Sequence, residues 1–159
     1  MNRALVFLWL LGAAQACIGA TSCRFVSGGG VAFGPYDTLS ASTADTALNL
    51  LVSCSRNGGP QNVSVTVSMG VGANGTSVNG RRMANTGGTG DFLIYGLFRD
   101  VTRSSAWGFT PAIDTVSQTI AVPNNGSASA TFTVYGRIPP LQDVSAGGYS
   151  DTVQVTLTP

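Results

Sequence analysis

The clearest pattern along this chain is the alternation of apolar and polar residues. Residues 62–69 (NVSVTVSM) place an apolar side chain at every second position. The segment Ser127–Ile138 (SASATFTVYGRI) alternates in a similar way. Because successive side chains of a β-strand point to opposite faces, both segments predict strands that bury one face.

Four further segments have the composition of strands. They are residues 48–54 (LNLLVSC), 91–99 (DFLIYGLFR), 119–122 and 149–157 (YSDTVQVTL). The first two are nearly continuous apolar runs, as in a strand at the centre of a sandwich, and the last alternates through Val153, Val155 and Leu157. Glycine, asparagine and proline between the segments are typical of tight turns.

The composition favours an all-β fold. All eight basic residues are arginine and all seven acidic residues are aspartate, so the strong helix formers lysine and glutamate are absent. Hydrophobic residues make up 43% of the chain, which is enough apolar material for a core. Short strands separated by turns predict one sandwich domain over residues 21–159. The net charge of +1 argues against a nucleic-acid or anionic-membrane partner.

Residues 1–20 have the pattern of a signal peptide. Arg3 is followed by an apolar run that ends in small residues, with cleavage expected after Ala16 or after Ala20. The run is too short for a transmembrane helix, and no other apolar stretch approaches the ~20 residues that a membrane span needs. A lipoprotein signal is the alternative, because Cys17 follows Ala16. Either signal predicts export.

The chain has three cysteines, Cys17, Cys23 and Cys54. Export places them in an oxidising compartment, where disulfides form. Cleavage after Ala20 would leave Cys23 and Cys54 as one pair, whereas cleavage after Ala16 would leave Cys17 as an additional thiol. The absence of a CxxC motif and of any histidine argues against a metal site.

No residue set predicts catalysis or a bound cofactor. Histidine, the commonest general base, is absent, and the aspartates are scattered beside turns, as solvated turn carboxylates would be. Residues 70–75 (GVGANG) match G-x-G-x-x-G, but the following residues are poor helix formers, so a dinucleotide site is rejected. Arg81 and Arg82 would point to opposite faces of a strand, which predicts a solvated pair.

Most of the aromatic side chains are expected to pack in the core. A second function class remains open, in which Trp107, Phe109 and nearby loops of a self-contained secreted module bind a ligand such as a glycan. An enzyme is not predicted.

Several short blocks in a fixed order resemble a known family. They are residues 33–36 (FGPY), 82–83 (RM), 93–100 (LIYGLFRD), 107–108 (WG), 134–139 (VYGRIP) and 146–153 (AGGYSDTV), together with Cys23 and Cys54. The set resembles the spore coat protein U domain found in subunits of archaic chaperone–usher pili. The resemblance runs from Cys23 to Pro159.

The resemblance implies an immunoglobulin-like β-sandwich that lacks its final strand and carries a Cys23–Cys54 disulfide. A periplasmic chaperone would first supply the missing strand, and a neighbouring fibre subunit would later replace it at an outer-membrane usher. The implied function is a structural or adhesion subunit of a surface fibre or spore coat. Such a subunit passes through the periplasm to the cell surface.

The expected strand-acceptor edge lies at the carboxyl-terminal strand, with Tyr149, Val153, Val155 and Leu157 as candidate residues. The segment that precedes Cys23 is Thr21–Ser22 if cleavage follows Ala20, or residues 17–22 if cleavage follows Ala16. A donor strand should exceed the typical ~5–6 residues, and neither segment alternates apolar and polar residues. We therefore expect this subunit to accept a strand but not to donate one, as suits the tip of a fibre.

Overall fold

A computed structural model describes residues 19–159, so the predicted signal sequence up to residue 18, including Cys17, lies outside the described residues. The described part of the chain contains ten strands and no helix, and therefore no helix able to cross a membrane. The strands are β1 (Thr21–Ser27), β2 (Ala44–Arg56), β3 (Gln61–Met69), β4 (Arg82–Asn85), β5 (Phe92–Ile94), β6 (Gly96–Phe98), β7 (Val116–Val122), β8 (Ser127–Ile138), β9 (Tyr149–Ser150) and β10 (Val155–Thr158).

The strands form three antiparallel sheets, with the orders β1-β2-β8-β6, β10-β3-β7 and β5-β4-β9. The longest pairing joins β2 to β8, from Ala44 opposite Ile138 to Ser55 opposite Ser127. β3 lies at the centre of the second sheet, where Val65 pairs with Gln118 of β7. The expected all-β, immunoglobulin-like sandwich is confirmed.

The core lies between the sheets and is built from the inward face of each strand. Along β3, Val63, Val65, Val67 and Met69 are buried and the alternate residues are more exposed. The other fully enclosed apolar side chains include Val52, Val122, Phe132, Val134, Ile138 and Trp107. The alternation in the sequence therefore identifies the buried face correctly.

Two predicted strands are each divided in the structure. Residues 91–99 form β5 in the third sheet and β6 in the first. The change of sheet falls after Tyr95, whose N–H still donates to the Arg81 carbonyl in line with β4, whereas Gly96 already pairs with Arg137 of β8. Residues 149–157 are interrupted at residues 151–154. There the Asp151 carboxylate accepts hydrogen bonds from Asn74 and from the Tyr95 hydroxyl, which fixes the bend.

Two strands, β1 and β4, were not predicted. β1 contains a charged residue and a bulge between Phe25 and Ser27, so its alternation is incomplete. β4 is the four-residue segment Arg82–Asn85, whose sequence has no alternation. In β1, Cys23 pairs directly opposite Cys54 of β2, and their sulfur atoms form the disulfide that the family resemblance implies.

The expectation of a solvated Arg81–Arg82 pair is wrong for Arg81, which is 0% exposed. Its guanidinium donates hydrogen bonds to the main-chain carbonyls of Gly70, Met69 and Trp107 at 2.6–3.1 Å. Burial lowers the pKa of Arg81, whereas the negative fields of nearby acidic groups act in the opposite direction. Only Arg82 reaches the surface, with its guanidinium 4.0 Å above the centre of the Phe92 ring.

The aspartates hold loops together, which the expectation of solvated turn carboxylates did not include. Asp100 accepts hydrogen bonds from the main chain of Ser104 and Ser105 and from the Thr102 hydroxyl. The Ser104 main-chain bond is the largest influence, and together these bonds lower the pKa of Asp100 well below its usual range. Asp45 instead joins two strands: Nε and Nη2 of Arg137 in β8 each lie 2.7 Å from one oxygen of this β2 carboxylate.

Candidate functional site

A cleft opens between the segment that follows β1 and the carboxyl-terminal segment of the chain. It has two chambers, of about 390 and about 530 Å³. Val31, Phe33, Met83 and Tyr149 line both chambers, so the two lie side by side. The cleft thus runs along the side of the sandwich where the first and second sheets end in β1 and β10.

The smaller chamber has an apolar floor. Leu50, Met69, Leu97 and Val134 line it, and all four are buried core residues with exposed fractions below 10%. A side chain that entered this chamber would therefore contact the core of the sandwich directly. Filling such a space removes apolar surface from water, at about 25 cal/mol per Å².

On one side of the cleft lies the outer edge of β10. Gly70 donates its N–H to the Gln154 carbonyl, and Val155 pairs with Met69. The even-numbered residues of β10 therefore direct their main-chain groups toward β3. In an antiparallel ladder the alternate residues point the other way. The N–H and C=O groups of Val155 and Leu157 therefore face the cleft side of the strand, and among the described residues β10 has no partner there.

On the opposite side of the cleft lie residues 28–36, which begin with three consecutive glycines. Their main-chain groups make no hydrogen bond with any other described residue. Side chains hold the segment instead: the Phe33 ring packs edge-to-face on Tyr95 with 5.9 Å between ring centres. The Tyr36 hydroxyl donates to the Pro139 carbonyl at 2.9 Å. The cleft is therefore bounded on both sides by unpaired main chain.

The structure brings three of the four candidate acceptor residues together. Tyr149, Val153 and Val155 line the smaller chamber. Leu157 lies further along β10, opposite Val67, and packs against the core without lining either chamber. Tyr149 belongs to β9 and pairs with Asn85, so it contributes to the cleft from the third sheet.

Sequence reasoning did not assign the other side of the cleft. Val31 and Phe33 line both chambers, and Leu48 and Leu50 line the smaller one. Phe33 belongs to one of the blocks that carry the family resemblance. The signal that could have found this segment is the run of glycines followed by apolar residues at alternate positions, Val31 and Phe33.

The structure removes Trp107 from the candidate glycan-binding surface. Trp107 is 1% exposed and donates its indole N–H to the Val67 carbonyl at 2.9 Å, so it cannot present a face to a glycan. Phe109 is exposed, but Trp107 is buried, so the two rings do not form a shared aromatic surface. Residues 70–75 form a loop that leads to no helix, so it has no anion-binding helix terminus.

Tyr95 lines the smaller chamber and is linked through Asp151 to Asn74, in the loop that follows β3. Its buried hydroxyl donates to the Asp151 carboxylate at 2.7 Å. Burial is the largest cause that raises the pKa of Tyr95, and the hydrogen bond to Asp151 raises it further. The phenol therefore stays protonated in the folded protein at pH values where an exposed tyrosine, with a pKa of about 10, ionises.

This shift predicts a loss of stability in alkali. Because the folded-state pKa of Tyr95 is raised, its contribution is complete below about pH 10 and declines as the pH rises above that value. We expect the free energy of unfolding to decline more steeply above about pH 10 in the unsubstituted protein than in Tyr95→Phe. Urea titrations across this range check it, and parallel curves would contradict it.

Comparisons with known proteins agree with this architecture. The Spore Coat Protein U domain model matches residues 12–156. Protein U of Myxococcus xanthus is 40% identical over 78 residues, which are 49% of this chain and 40% of that protein. This chain thus aligns with well under two thirds of the relative's length.

A solved structure has a similar fold. It is the crystal structure of the CsuC–CsuE chaperone–tip adhesion subunit pre-assembly complex from archaic chaperone–usher Csu pili of Acinetobacter baumannii. The TM-score is 0.50 at 20% identity, and the match covers 87% of this chain and 40% of the other. Because the domain model spans most of the sequence, this chain belongs to the Spore Coat Protein U domain family.

Proposed function

We propose that this chain is an exported structural subunit of a surface fibre or coat, assembled by a chaperone–usher system. Its cleft takes up a β-strand from a chaperone and later from a neighbouring subunit. The partners in this proposal are a periplasmic chaperone, an outer-membrane usher and other fibre subunits. Membership of the family supports it, as does the similar fold of a chain from a chaperone–subunit complex.

The observation that carries the proposal is the unpaired main chain on both sides of the cleft. An extended segment lying between residues 28–36 and β10 could hydrogen-bond to Val155 and Leu157 on one side and to the glycine-rich segment on the other. Strand addition of this kind obtains affinity from main-chain hydrogen bonds and specificity from side-chain pockets.

The side chains of the cleft define the partner strand. Alternate residues of an added strand would point inward, and in the smaller chamber they would meet Leu50, Leu97 and Val134. Those inward residues should be apolar. The outward residues would lie on the surface of the completed sheet and can be polar. A partner strand should therefore alternate apolar and polar residues.

A position at the tip of the fibre is the narrower form of the proposal. With cleavage after Ala20, the residues that precede Cys23 are Thr21 and Ser22. Both belong to β1 and pair with Arg56 and Ser55 of β2. Residues held in this sheet are not free to enter another subunit. Fusing a strand-donating extension to Thr21 should then convert a subunit that does not polymerise into one that does, whereas polymers of the unfused protein would rule out the tip role.

A peptide titration tests strand uptake. The probe is a synthetic peptide in which valine and threonine alternate, and the control peptide has the same composition with the valines grouped. At about 100 times its dissociation constant, a ligand of the folded state adds about 2.7 kcal/mol to the free energy of unfolding. We expect the alternating peptide to raise the melting temperature by about 5–10 °C.

Two aspartate variants locate the effect. Val155→Asp places a charge in the cleft and should abolish the gain in melting temperature from the alternating peptide. Thr156→Asp is the matched control, because Thr156 is exposed and its alternate position directs its main chain toward β3. Equal gains with both peptides, or no gain in a protein that remains a stable monomer, would favour a self-contained secreted module instead.

A further inference from the structure

The third sheet also ends in an edge strand, β5, on the side away from β4. The N–H of Tyr95 donates to the Arg81 carbonyl, and the N–H of Asn85 donates to the Asp91 carbonyl. In residues 91–95, the main-chain groups of the odd-numbered residues therefore point toward β4. The main-chain groups of Phe92 and Ile94 therefore point outward. Both side chains are exposed, at 39% and 49%.

The main-chain groups of Ile94 are occupied by a single side chain. Ile94 donates its N–H to Gln142 Oε1 at 2.8 Å, and Gln142 Nε2 donates back to the Ile94 carbonyl at 2.9 Å. The side-chain amide thus forms the same pair of hydrogen bonds that a residue of a neighbouring antiparallel strand would form.

The position of Gln142 is itself fixed from two directions. Its Nε2 also donates to the Pro139 carbonyl at 3.1 Å, and its main-chain N–H donates to the Tyr36 hydroxyl at 2.9 Å. Because the amide is held in place, it lies over the edge of β5 without needing to be ordered by a partner.

We propose that Gln142 blocks the outer edge of β5 and prevents a second copy of this chain from pairing there. Exposed edges with free N–H and C=O groups are templates for pairing with another chain, and natural sheets cover or charge them. Here the side-chain amide covers Ile94, while Arg82 places a positive charge over the Phe92 ring. The proposal does not depend on whether the cleft accepts a strand.

The geometry of β5 selects a second copy as the excluded partner. Two β5 edges can pair antiparallel about Leu93, which would place Phe92 of each copy opposite Ile94 of the other. Both are exposed apolar side chains, and cross-strand pairs of aromatic and β-branched residues stabilise a sheet. Without the block, the third sheet could therefore continue into an identical sheet.

The test compares monomer and dimer populations by size-exclusion chromatography with light scattering. We expect Gln142→Ala to raise the dimer fraction about fivefold at equal protein concentration, because two main-chain groups of Ile94 become free. The matched control is Gln118→Ala: Gln118, like Gln142, is a partly exposed glutamine that donates to a main-chain carbonyl, that of Thr131, but it bonds only this one main-chain group. This control should resemble the unsubstituted protein.

A second substitution separates edge pairing from simple loss of stability. Ile94→Lys, added to Gln142→Ala, places a charge opposite Phe92 in the proposed dimer and should restore the monomer. A Gln142→Ala protein that stays monomeric overturns the proposal, as does an equal degree of association in the double variant. If Gln142→Ala does not fold, Gln142→Glu, which can accept from Ile94 but not donate to it, should give a smaller increase in dimer; no increase would also overturn the proposal. Any dimer that forms through the cleft would form equally in every variant, so it does not affect the differences in dimer fraction between them.

Discussion

Replacing Arg81 with methionine is expected to lower the free energy of unfolding by about 3–5 kcal/mol. The guanidinium is fully buried and donates to the carbonyls of Gly70, Met69 and Trp107. Methionine fills a similar volume but supplies no donor, so these buried carbonyls would lose their partner. Met69 ends β3, Gly70 begins the loop that follows it, and Trp107 lies on the segment before β7, so the packing between these parts of the chain would loosen.

Arg82→Met is the matched control for this prediction. Arg82 is only half-buried, and it donates to the Asn74 carbonyl and lies over Phe92. Its loss should cost about 1 kcal/mol. Urea denaturation of both variants at neutral pH measures the difference. Similar losses in the two variants would contradict the structural role assigned to Arg81.

Removing the disulfide with Cys23→Ala and Cys54→Ala should lower the free energy of unfolding by about 3–4 kcal/mol in the chain-entropy model. The bond joins residues separated by 31 positions and ties the edge strand β1 to the central strand β2. A released β1 would also weaken the wall of the cleft near residues 28–36. The alternating peptide should therefore bind the double variant less tightly than it binds the oxidised protein.

The control for this prediction is chemical. A reducing agent should lower the stability of the unsubstituted protein toward that of the double variant and should leave the double variant unchanged. Equilibrium urea titrations with and without reductant give both values. A loss below about 1 kcal/mol would show that packing, and not the covalent link, fixes β1.

The strands that sequence reasoning located well are those with strict alternation. Ser127–Ile138 was predicted with its observed bounds, and β3 differs by a single residue. The failures have a different cause. At Tyr95 and at residues 151–154 the chain changes sheet or bends through a tertiary hydrogen bond to a distant residue, and a local pattern contains no information on such a partner.

The same limit applies to the site. The carboxyl-terminal side of the cleft was predictable, because alternation through Val153 and Val155 marks inward-facing side chains. The opposite side depends on residues 28–36, which form no strand among the described residues, so their placement comes from tertiary contacts of Phe33 and Tyr36. Arg81 was placed at the surface because nothing in its immediate sequence indicates the main-chain carbonyls that surround it.

The directly opposed cysteines determine how the sheet responds to tension. A force that pulls on the chain at Thr21 can peel away Thr21 and Ser22, and it then reaches the covalent bond between Cys23 and Cys54. From there the load passes into β2, which is paired with β8 along its length. The disulfide therefore stops the peeling of β1 after two residues, and the force is spread over the longest ladder among the described residues.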